Sequence, residues 1–222
     1  MSIPPIAGFL PLSLVDYPGQ ACAVIFLQGC NLRCPYCHNP DLISIKNINH
    51  YKLSTIFDEL AQSRGIIKAI TVTGGEPCIH PNLQNLFSTF KEQNFQLKLD
   101  TNGTFPNVLS SLLNQNLVDF VAMDIKAPLD KSMSTATGKN HKEPLIRRSL
   151  EILSKSNIFY EIRTTLYKNL SIIDLESIQS SLPDSCSWVL QKCHNVPGFY
   201  NSQTTDNKPI LSYKNITYRG FV

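Results

Sequence analysis

Three cysteines, Cys30, Cys34 and Cys37, lie in one short loop with the spacing Cys-x3-Cys-x2-Cys, and no fourth cysteine is nearby. Three thiolates on such a loop can bind three irons of a cubane [4Fe–4S] cluster. The fourth iron then has no protein ligand, so it is open to a substrate or a cofactor. The spacing therefore predicts an iron–sulfur centre whose open iron takes part in a reaction.

A zinc site completed by His38 is the alternative, since three cysteines and one histidine form a known structural set. The geometry is poor for zinc because Cys37 and His38 are adjacent, whereas paired zinc ligands are usually about two to four residues apart. We therefore favour the open cluster and keep the zinc site as an alternative.

The composition of the chain excludes several classes of protein. Its 222 residues are 42% apolar and 17% charged, which disfavours both a disordered chain and a membrane-spanning one. Twenty basic and seventeen acidic residues leave a net charge of +3, with no block of like charges. We therefore expect neither a nucleic-acid surface nor an anionic-membrane surface.

The cysteine count and the N-terminus predict the cellular compartment. The first basic residue is Arg33, so the N-terminus lacks the positive region of a secretory signal. Seven cysteines without an export signal argue against a disulfide framework. We expect a cytoplasmic protein in which the remaining cysteines are packing thiols and not ligands of a second cluster: Cys22, Cys78, Cys186 and Cys193.

Apolar runs rich in β-forming residues indicate six buried strands, at residues 22–28, 67–73, 95–101, 118–125, 159–166 and 187–191. Segments of helical period lie between them, at residues 53–61, 83–90, 106–115, 146–153 and 175–182. This alternation predicts a parallel sheet with its ligand site at the C-terminal ends of the strands. Six strand–helix repeats of this kind form either an open doubly wound sheet or a partial barrel. Because no linker or repeat divides the chain, we expect one domain over residues 1–222, with an N-terminal extension at 1–20 and the cluster loop at 29–40.

A glycine pair and a glutamate follow the second predicted strand. Gly74 and Gly75 leave space for backbone carbonyl groups to approach an ammonium group, and Glu76 can add a charge-assisted hydrogen bond. An ordinary turn is the alternative for the glycine pair.

Charged residues also mark the later strands. Asp124 and Lys126 are two residues apart and share one face of a buried strand, where they either bind a cofactor or pair with each other. Arg163 can bind the carboxylate of a ligand bidentately. Alternatively, its charge is balanced within the barrel interior and it contacts no ligand. His194 follows the sixth strand, where a lone histidine is most often a surface or capping residue.

With Tyr36 before its last cysteine, the cluster loop resembles that of the radical S-adenosylmethionine (SAM) superfamily. The resemblance also covers Thr73–Pro77, Leu99–Gly103 and Asp124–Lys126, and it extends over essentially the whole chain. It implies an α/β fold, a partial (β/α)6 barrel of parallel strands with helices outside. It also implies one [4Fe–4S] cluster held by the three loop cysteines alone, with SAM chelated to the open iron.

The resemblance assigns a set of residues to the cofactor. The glycine pair and Glu76 would hold the methionyl amino group of SAM. Asp100 and Thr101 would join Asp124 around either the SAM carboxylate or a monovalent cation. The full set is Tyr36, His38, Gly74, Gly75, Glu76, Asp100, Thr101, Asn102, Asp124, Lys126, Arg163 and His194.

Further segments, at residues 8–9, 13–19 and 37–40, resemble the glycyl-radical-enzyme activases. Residues 160–165 and 189–191 resemble the short form that activates anaerobic ribonucleoside-triphosphate reductase. Since no cysteine lies between positions 37 and 78, the chain lacks the ferredoxin-like insert of the longer activases.

The implied reaction is reductive cleavage of SAM to methionine and a 5′-deoxyadenosyl radical, which removes a Cα hydrogen from one glycine of a partner enzyme. A flavodoxin or a ferredoxin would supply the electron, and no side chain would act as acid or base. Three alternatives stay open. They are an activase of another glycyl-radical enzyme such as pyruvate formate-lyase, a small-molecule radical SAM enzyme similar to 7-carboxy-7-deazaguanine synthase, and a non-catalytic iron–sulfur or zinc module.

Overall fold

The structure is a computed structural model of the chain, and it describes residues 2–45, 50–63, 65–139, 142–184, 186–194, 196, 209, 211 and 215–220. These residues form eight strands, Ile6–Ser13 (β1), Cys22–Leu27 (β2), Ala69–Gly74 (β3), Gln96–Thr101 (β4), Phe120–Asp124 (β5), Phe159–Leu166 (β6), Ser187–Lys192 (β7) and Ile216–Arg219 (β8). They also form six α-helices, Leu53–Gln62 (α1), Leu83–Glu92 (α2), Pro106–Asn114 (α3), Ser132–Thr137 (α4), Glu143–Ser154 (α5) and Ile172–Ser180 (α6). Helices separate the strands from β2 to β7, and within each unit neighbouring strands of the sheet follow their order in the chain. The predicted α/β class is thus confirmed.

The chain forms two compact units. The first contains residues 1–31, 41–101 and 107–121, and the second contains residues 32–40, 102–106 and 122–222. One domain over the whole chain stays a prediction. No helix in the described part of the chain is long and apolar enough to cross a membrane.

In the first unit, β1 pairs with β2 in the antiparallel direction, whereas β2 with β3 and β3 with β4 are parallel pairs. Nearly all residues of β2 and β3 are buried, the pattern of parallel strands that are covered on both faces. The register pairs Leu27 with Gly74, so the C-terminal ends of β2 and β3 lie side by side. α2 packs four large side chains at helical spacing into the core: Leu83, Leu86, Phe87 and Phe90.

In the second unit, β6 with β7 and β7 with β8 are parallel pairs. A buried chain of hydrogen bonds links three successive strands. The indole N–H of the fully buried Trp188 donates to the Thr164 hydroxyl at 3.0 Å, and this hydroxyl donates to the Ile125 carbonyl oxygen, just after β5, at 2.9 Å. These bonds fix the ends of β5 and β6, where the predicted cofactor residues of this unit lie.

Among the described residues, all six predicted buried strands form, and two further strands that are not fully buried and one further helix lie outside the predicted set. β1 falls within the predicted N-terminal extension, where Pro11 and the exposed Leu10 and Leu12 hide the alternation of an edge strand. β8 has only four residues. α4 is too short and too polar to show a helical period. The other predicted strands and helices are confirmed, with ends shifted by a few residues.

Candidate functional site

Gly29 and Cys30 begin the cluster loop at the C-terminal end of β2, in the first unit. The Gly29 N–H donates to the Leu42 carbonyl oxygen at 2.7 Å, and the Cys30 N–H donates to the Ile43 carbonyl oxygen at 3.2 Å. Gly29 has a φ of +97°, a conformation that favours glycine. The backbone of Cys30 is therefore fixed by the segment that follows the loop.

The glycine pair after β3 packs directly against the base of the cluster loop. A Cβ atom on Gly74, whose φ is +118°, would overlap the Leu27 carbonyl oxygen, and one on Gly75 would overlap the Gly29 carbonyl oxygen. The Gly75 N–H donates to Leu27 at 2.9 Å, and the Glu76 N–H donates to Gly29 at 2.8 Å. Close backbone packing is thus one reason for both glycines, and their contact with SAM stays a prediction.

Glu76 joins the ends of β3 and β4. One of its carboxylate oxygens accepts a hydrogen bond from the Thr101 hydroxyl at 2.8 Å and another from the Cys78 N–H at 3.0 Å. Glu76 is only 1% exposed, so these bonds replace water around a buried carboxylate. Burial, and then the charge of Glu76, raises the pKa of the Cys78 thiol well above its usual range, which keeps this thiol protonated.

Asp100 is ion-paired with Lys98, two residues earlier on β4. The Lys98 Nζ lies 2.5 Å from the Asp100 Oδ1, and the two side chains are 2% and 11% exposed. Lys98 was not among the predicted residues. The signal was present, because residues two apart on a strand share a face, as they do at Asp124 and Lys126.

Cys34 and Cys37 lie in the second unit, where a turn holds them. The Cys37 N–H donates to the Cys34 carbonyl oxygen at 3.2 Å, and both thiols are free. Burial raises the pKa of the Cys34 thiol, and the nearby Lys126 ammonium opposes that rise. A cation beside a thiol favours the thiolate, the form that binds iron, so the chemistry of these donors fits a thiolate-bound cluster.

The unpredicted helix α4 supports this part of the loop. The Arg33 N–H donates to the Thr137 carbonyl oxygen, in the last turn of α4, at 2.8 Å. Gly138 ends the helix with a φ of +64°, and a Cβ atom there would lie 2.8 Å from the Arg33 carbonyl oxygen. A glycine is therefore needed where α4 meets the loop.

Asp124 forms two ion pairs in the second unit. Its Oδ1 lies 2.8 Å from the Arg163 Nε, and its Oδ2 lies 3.1 Å from the Lys126 Nζ. Burial alone would raise the pKa of Asp124, but Arg163 and Lys126 together hold it well below its usual range. Burial would also lower the pKa of Lys126, and Asp124 raises it above its usual range instead. Three predicted residues thus lie together as one carboxylate, Asp124, and two cations, Lys126 and Arg163. Such a group can pair with both the ammonium and the carboxylate of an amino acid.

Tyr36 stacks on Tyr167, which follows β6. The ring centroids are 4.1 Å apart and the planes differ by 12°. The Tyr36 hydroxyl donates to the Lys126 carbonyl oxygen at 3.4 Å. Burial raises the pKa of Tyr36 well above its usual range, so the phenol stays protonated. Tyr167 was not predicted, since no periodicity in the sequence marks it.

His38 and His194 come together after β7, with ring centroids 5.9 Å apart. The His194 N–H donates to the His38 Nε2 at 3.4 Å, and the Cys193 Sγ lies 3.8 Å from the same nitrogen. Burial lowers the pKa of His38, and Lys126 lowers it further, which favours the neutral ring that accepts this hydrogen bond. Cys193 was expected only as a packing thiol, and its contact with His38 was not predicted.

The last predicted contact, Asn102, lies in a turn of the second unit. Its side-chain oxygen accepts hydrogen bonds from the Thr104 N–H at 3.0 Å and the Thr104 hydroxyl at 2.6 Å. This pattern is that of an Asx turn. The role of Asn102 toward SAM stays a prediction.

The groups that the family resemblance implies fit the chain to different degrees. Sulfur donors suit the cluster and the group around Asp124 suits SAM, whereas the monovalent cation fits poorly because Asp100 and Asp124 already have cationic partners. Among the residues that the structure describes, no three His, Cys, Asp or Glu side chains are grouped to hold one metal ion. The assignment of the cluster to Cys30, Cys34 and Cys37 stays a prediction.

Comparisons with known proteins match the chain over most of its length. A family model described as the Radical SAM superfamily matches residues 24–182. A Methanocaldococcus jannaschii protein that carries the name glycyl-radical enzyme activating enzyme is 34% identical over 194 residues, which are 84% of this chain and 79% of that protein. A pyruvate formate-lyase-activating enzyme of Clostridium pasteurianum is 31% identical over 136 residues, which are 59% of this chain and 56% of that protein.

A solved structure shares the fold. QueE from Escherichia coli matches with a TM-score of 0.54 and 18% identity, over 85% of this chain and 83% of that chain. At this identity the likeness concerns the fold alone, and it agrees with the predicted fold class. The family model covers more than half of the chain, and the archaeal relative is similar over most of it. The chain therefore belongs to the radical SAM superfamily and, within it, to the glycyl-radical enzyme activating enzymes.

Proposed function

We propose that this chain uses a [4Fe–4S] cluster and SAM to install a glycyl radical on anaerobic ribonucleoside-triphosphate reductase. The observation that carries the proposal is the charged group of Asp124, Lys126 and Arg163, which shares a compact unit with Cys34 and Cys37. Family membership supplies the reaction class, and this group supplies charges that match those of the methionyl end of SAM.

Cys30, Cys34 and Cys37 would hold the cluster as thiolates. When bound, the cluster would supply one electron, taken from a reduced flavodoxin or ferredoxin, for the reductive cleavage of SAM. The chain's own contribution is to position the cluster and SAM and to shield them from water. The cation of Lys126 favours the Cys34 thiolate, and the stack on Tyr167 holds the buried ring of Tyr36, the residue before Cys37.

The chain would bind SAM through charge. In the second unit, the fork of Arg163 and the ammonium of Lys126 suit the carboxylate of SAM, while Asp124 holds both cations in place. In the first unit, the carboxylate of Glu76 would pair with the amino group of SAM. We keep the remaining contacts that the family implies as part of the proposal: Tyr36, His38, Gly74, Gly75, Asp100, Thr101, Asn102 and His194.

The partner is a polypeptide in this proposal. Bound SAM would supply the radical chemistry that converts one glycine of the reductase to a glycyl radical, with 5′-deoxyadenosine as the by-product. No proton transfer is needed, so no side chain serves as acid or base. The similarity of residues 160–165 and 189–191 to the short activases supports the reductase as partner. A cytoplasmic location would place the chain beside its electron donor and its partner.

The test is the formation of a glycyl radical, measured by electron paramagnetic resonance. The reconstituted protein is incubated without oxygen with a reductant, SAM and a class III ribonucleotide reductase. We expect a glycyl-radical doublet that disappears when the radical glycine of the reductase is changed to alanine. The matched control on the activase side is Cys34→Ala, which should give no doublet.

The alternatives are decided by other outcomes of the same experiment. A doublet on pyruvate formate-lyase but not on the reductase would move the proposal to another activase. Formation of 5′-deoxyadenosine without a doublet on either protein, but with turnover of a free nucleoside or pterin, would favour a small-molecule enzyme. Absence of SAM cleavage by a fully loaded cluster would favour a non-catalytic module.

A further inference from the structure

Lys98 is a charged side chain in the interior of the first unit. It is 2% exposed, and its ammonium lies 2.5 Å from the Asp100 Oδ1. Burying an ammonium is costly unless a carboxylate or other acceptors replace the water that it loses. Asp100 provides that replacement, so the two charges neutralise each other near the C-terminal end of β4.

The monovalent cation implied by the family resemblance would lie beside Asp100 and Asp124. Hard cations bind oxygen ligands, and a carboxylate attracts them less when a neighbouring positive charge already balances its own. Asp124 is ion-paired with Lys126 and Arg163, and Asp100 is ion-paired with Lys98. Each carboxylate therefore has a fixed positive charge within its own unit, and an added cation would be repelled by that charge.

We infer that the Lys98 ammonium supplies the positive charge that the resemblance assigns to a monovalent cation. It is built into β4 and needs no uptake of an ion from solution. It balances the charge of Asp100, so that the carboxylate of SAM can lie near this strand end without repulsion. The inference rests on the proposed binding of SAM, and it makes the enzyme indifferent to alkali cations.

The first experiment uses the cluster-loaded wild-type protein. SAM affinity and 5′-deoxyadenosine formation are measured in K⁺, Na⁺ or tetramethylammonium chloride at equal ionic strength. We expect both quantities to agree within about twofold among the three salts, because the required charge is already present. A larger gain in K⁺ or Na⁺ over tetramethylammonium would overturn the inference.

The second experiment removes the ammonium and needs neither cluster nor SAM. Lys98→Met leaves Asp100 buried without its partner, which should lower the Tm of the cluster-free protein by about 6–20 °C. K⁺ should raise the Tm of this variant relative to tetramethylammonium, whereas the wild-type Tm should not respond. The double variant Lys98→Met/Asp100→Asn removes both charges and should regain most of the lost Tm without responding to K⁺.

The outcomes separate this inference from the proposed function. A Lys98→Met protein with the wild-type Tm and no response to K⁺ overturns the inference even if the enzyme forms glycyl radicals. Failure of the loaded enzyme to bind SAM overturns the proposed function, while the melting measurements still decide how Asp100 is neutralised. If Lys98→Met does not fold, recovery of folding in the double variant supports the inference and its absence contradicts it.

Discussion

A Cβ atom on Gly75 would overlap the carbonyl oxygen of Gly29, because the turn after β3 packs against the first residues of the cluster loop. The Glu76 N–H donates to that same oxygen at 2.8 Å. Cys30 is the next residue after Gly29, so the strand end that carries the glycine pair also positions the first cysteine of the loop.

We therefore predict that Gly75→Ala displaces the start of the cluster loop. The free energy of unfolding of the cluster-free protein should fall by roughly 2–4 kcal/mol, because backbone atoms cannot yield as a side chain can. Iron content after reconstitution should fall as well. Gly8→Ala is the matched control, since the atoms nearest to its Cβ would belong to the Phe26 side chain, at 3.3 Å, and not to the backbone. Equal losses in both variants would contradict the packing argument.

The three loop cysteines should account for all bound iron. Changing Cys30, Cys34 or Cys37 to alanine should abolish the cluster, because each thiolate holds one iron. Iron and sulfide analysis after anaerobic reconstitution measures this result. The controls are single alanine variants of the four other cysteines, which should bind iron as the wild type does: Cys22, Cys78, Cys186 and Cys193. A triple loop variant that kept about four irons would disprove the assignment.

The charged group around Asp124 should bind SAM without building the cluster. Asp124→Ala should keep the iron content, and Lys126→Ala should keep most of it despite the loss of a cation near Cys34. Both variants should weaken SAM binding about tenfold to a hundredfold, as expected for a partly buried charged partner. Calorimetric titration of SAM into the reconstituted protein measures the effect. Lys155→Ala is the control, because Lys155 pairs with Glu151 on the exposed surface of α5. Unchanged SAM affinity in the first two variants would leave Asp124 and Lys126 as a structural ion pair.

Asp124 should make the fold sensitive to acid. Burial alone would raise its pKa, but Arg163 and Lys126 hold it well below the usual 3.8. Such a carboxyl stabilises the fold above the unfolded pKa, and this stabilisation is lost as the pH falls through the folded pKa. Below about pH 4, the unfolding free energy of the wild type should therefore fall more steeply than that of Asp124→Asn. Denaturant unfolding at a series of pH values measures both slopes, and parallel curves would contradict the prediction.

The ring stack should stabilise the second unit. Tyr167→Leu should lower the free energy of unfolding by about 0.5–1.5 kcal/mol beyond the effect of lost area, whereas Tyr167→Phe keeps the stack and should not lose this increment. Near-ultraviolet circular dichroism of the cluster-free protein reports on the paired rings. The leucine variant should also release iron faster to a chelator, because the stack holds the residue before Cys37. Identical behaviour of the two variants would show that stacking contributes nothing.

The sequence by itself determined the chemistry and most of the elements. The spacing of Cys30, Cys34 and Cys37 is a covalent property of the chain, so it indicated an iron–sulfur loop without any knowledge of packing. Alternation along a strand is equally local, and it placed Asp124 and Lys126 on one face before their ion pair was known. The inner strands are apolar on both faces, which made them visible as continuous runs.

Tertiary structure decided which of these residues meet. The stack of Tyr36 on Tyr167 and the approach of Cys193 to His38 join residues that are far apart in the chain, and no periodicity encodes such contacts. The requirement for glycine at Gly75 arises only when the turn after β3 packs on the loop. Local patterns follow from the helical and strand periods of the backbone, and each segment shows them without the rest of the chain. Contacts between segments depend on shape and burial, which exist only once the chain has folded.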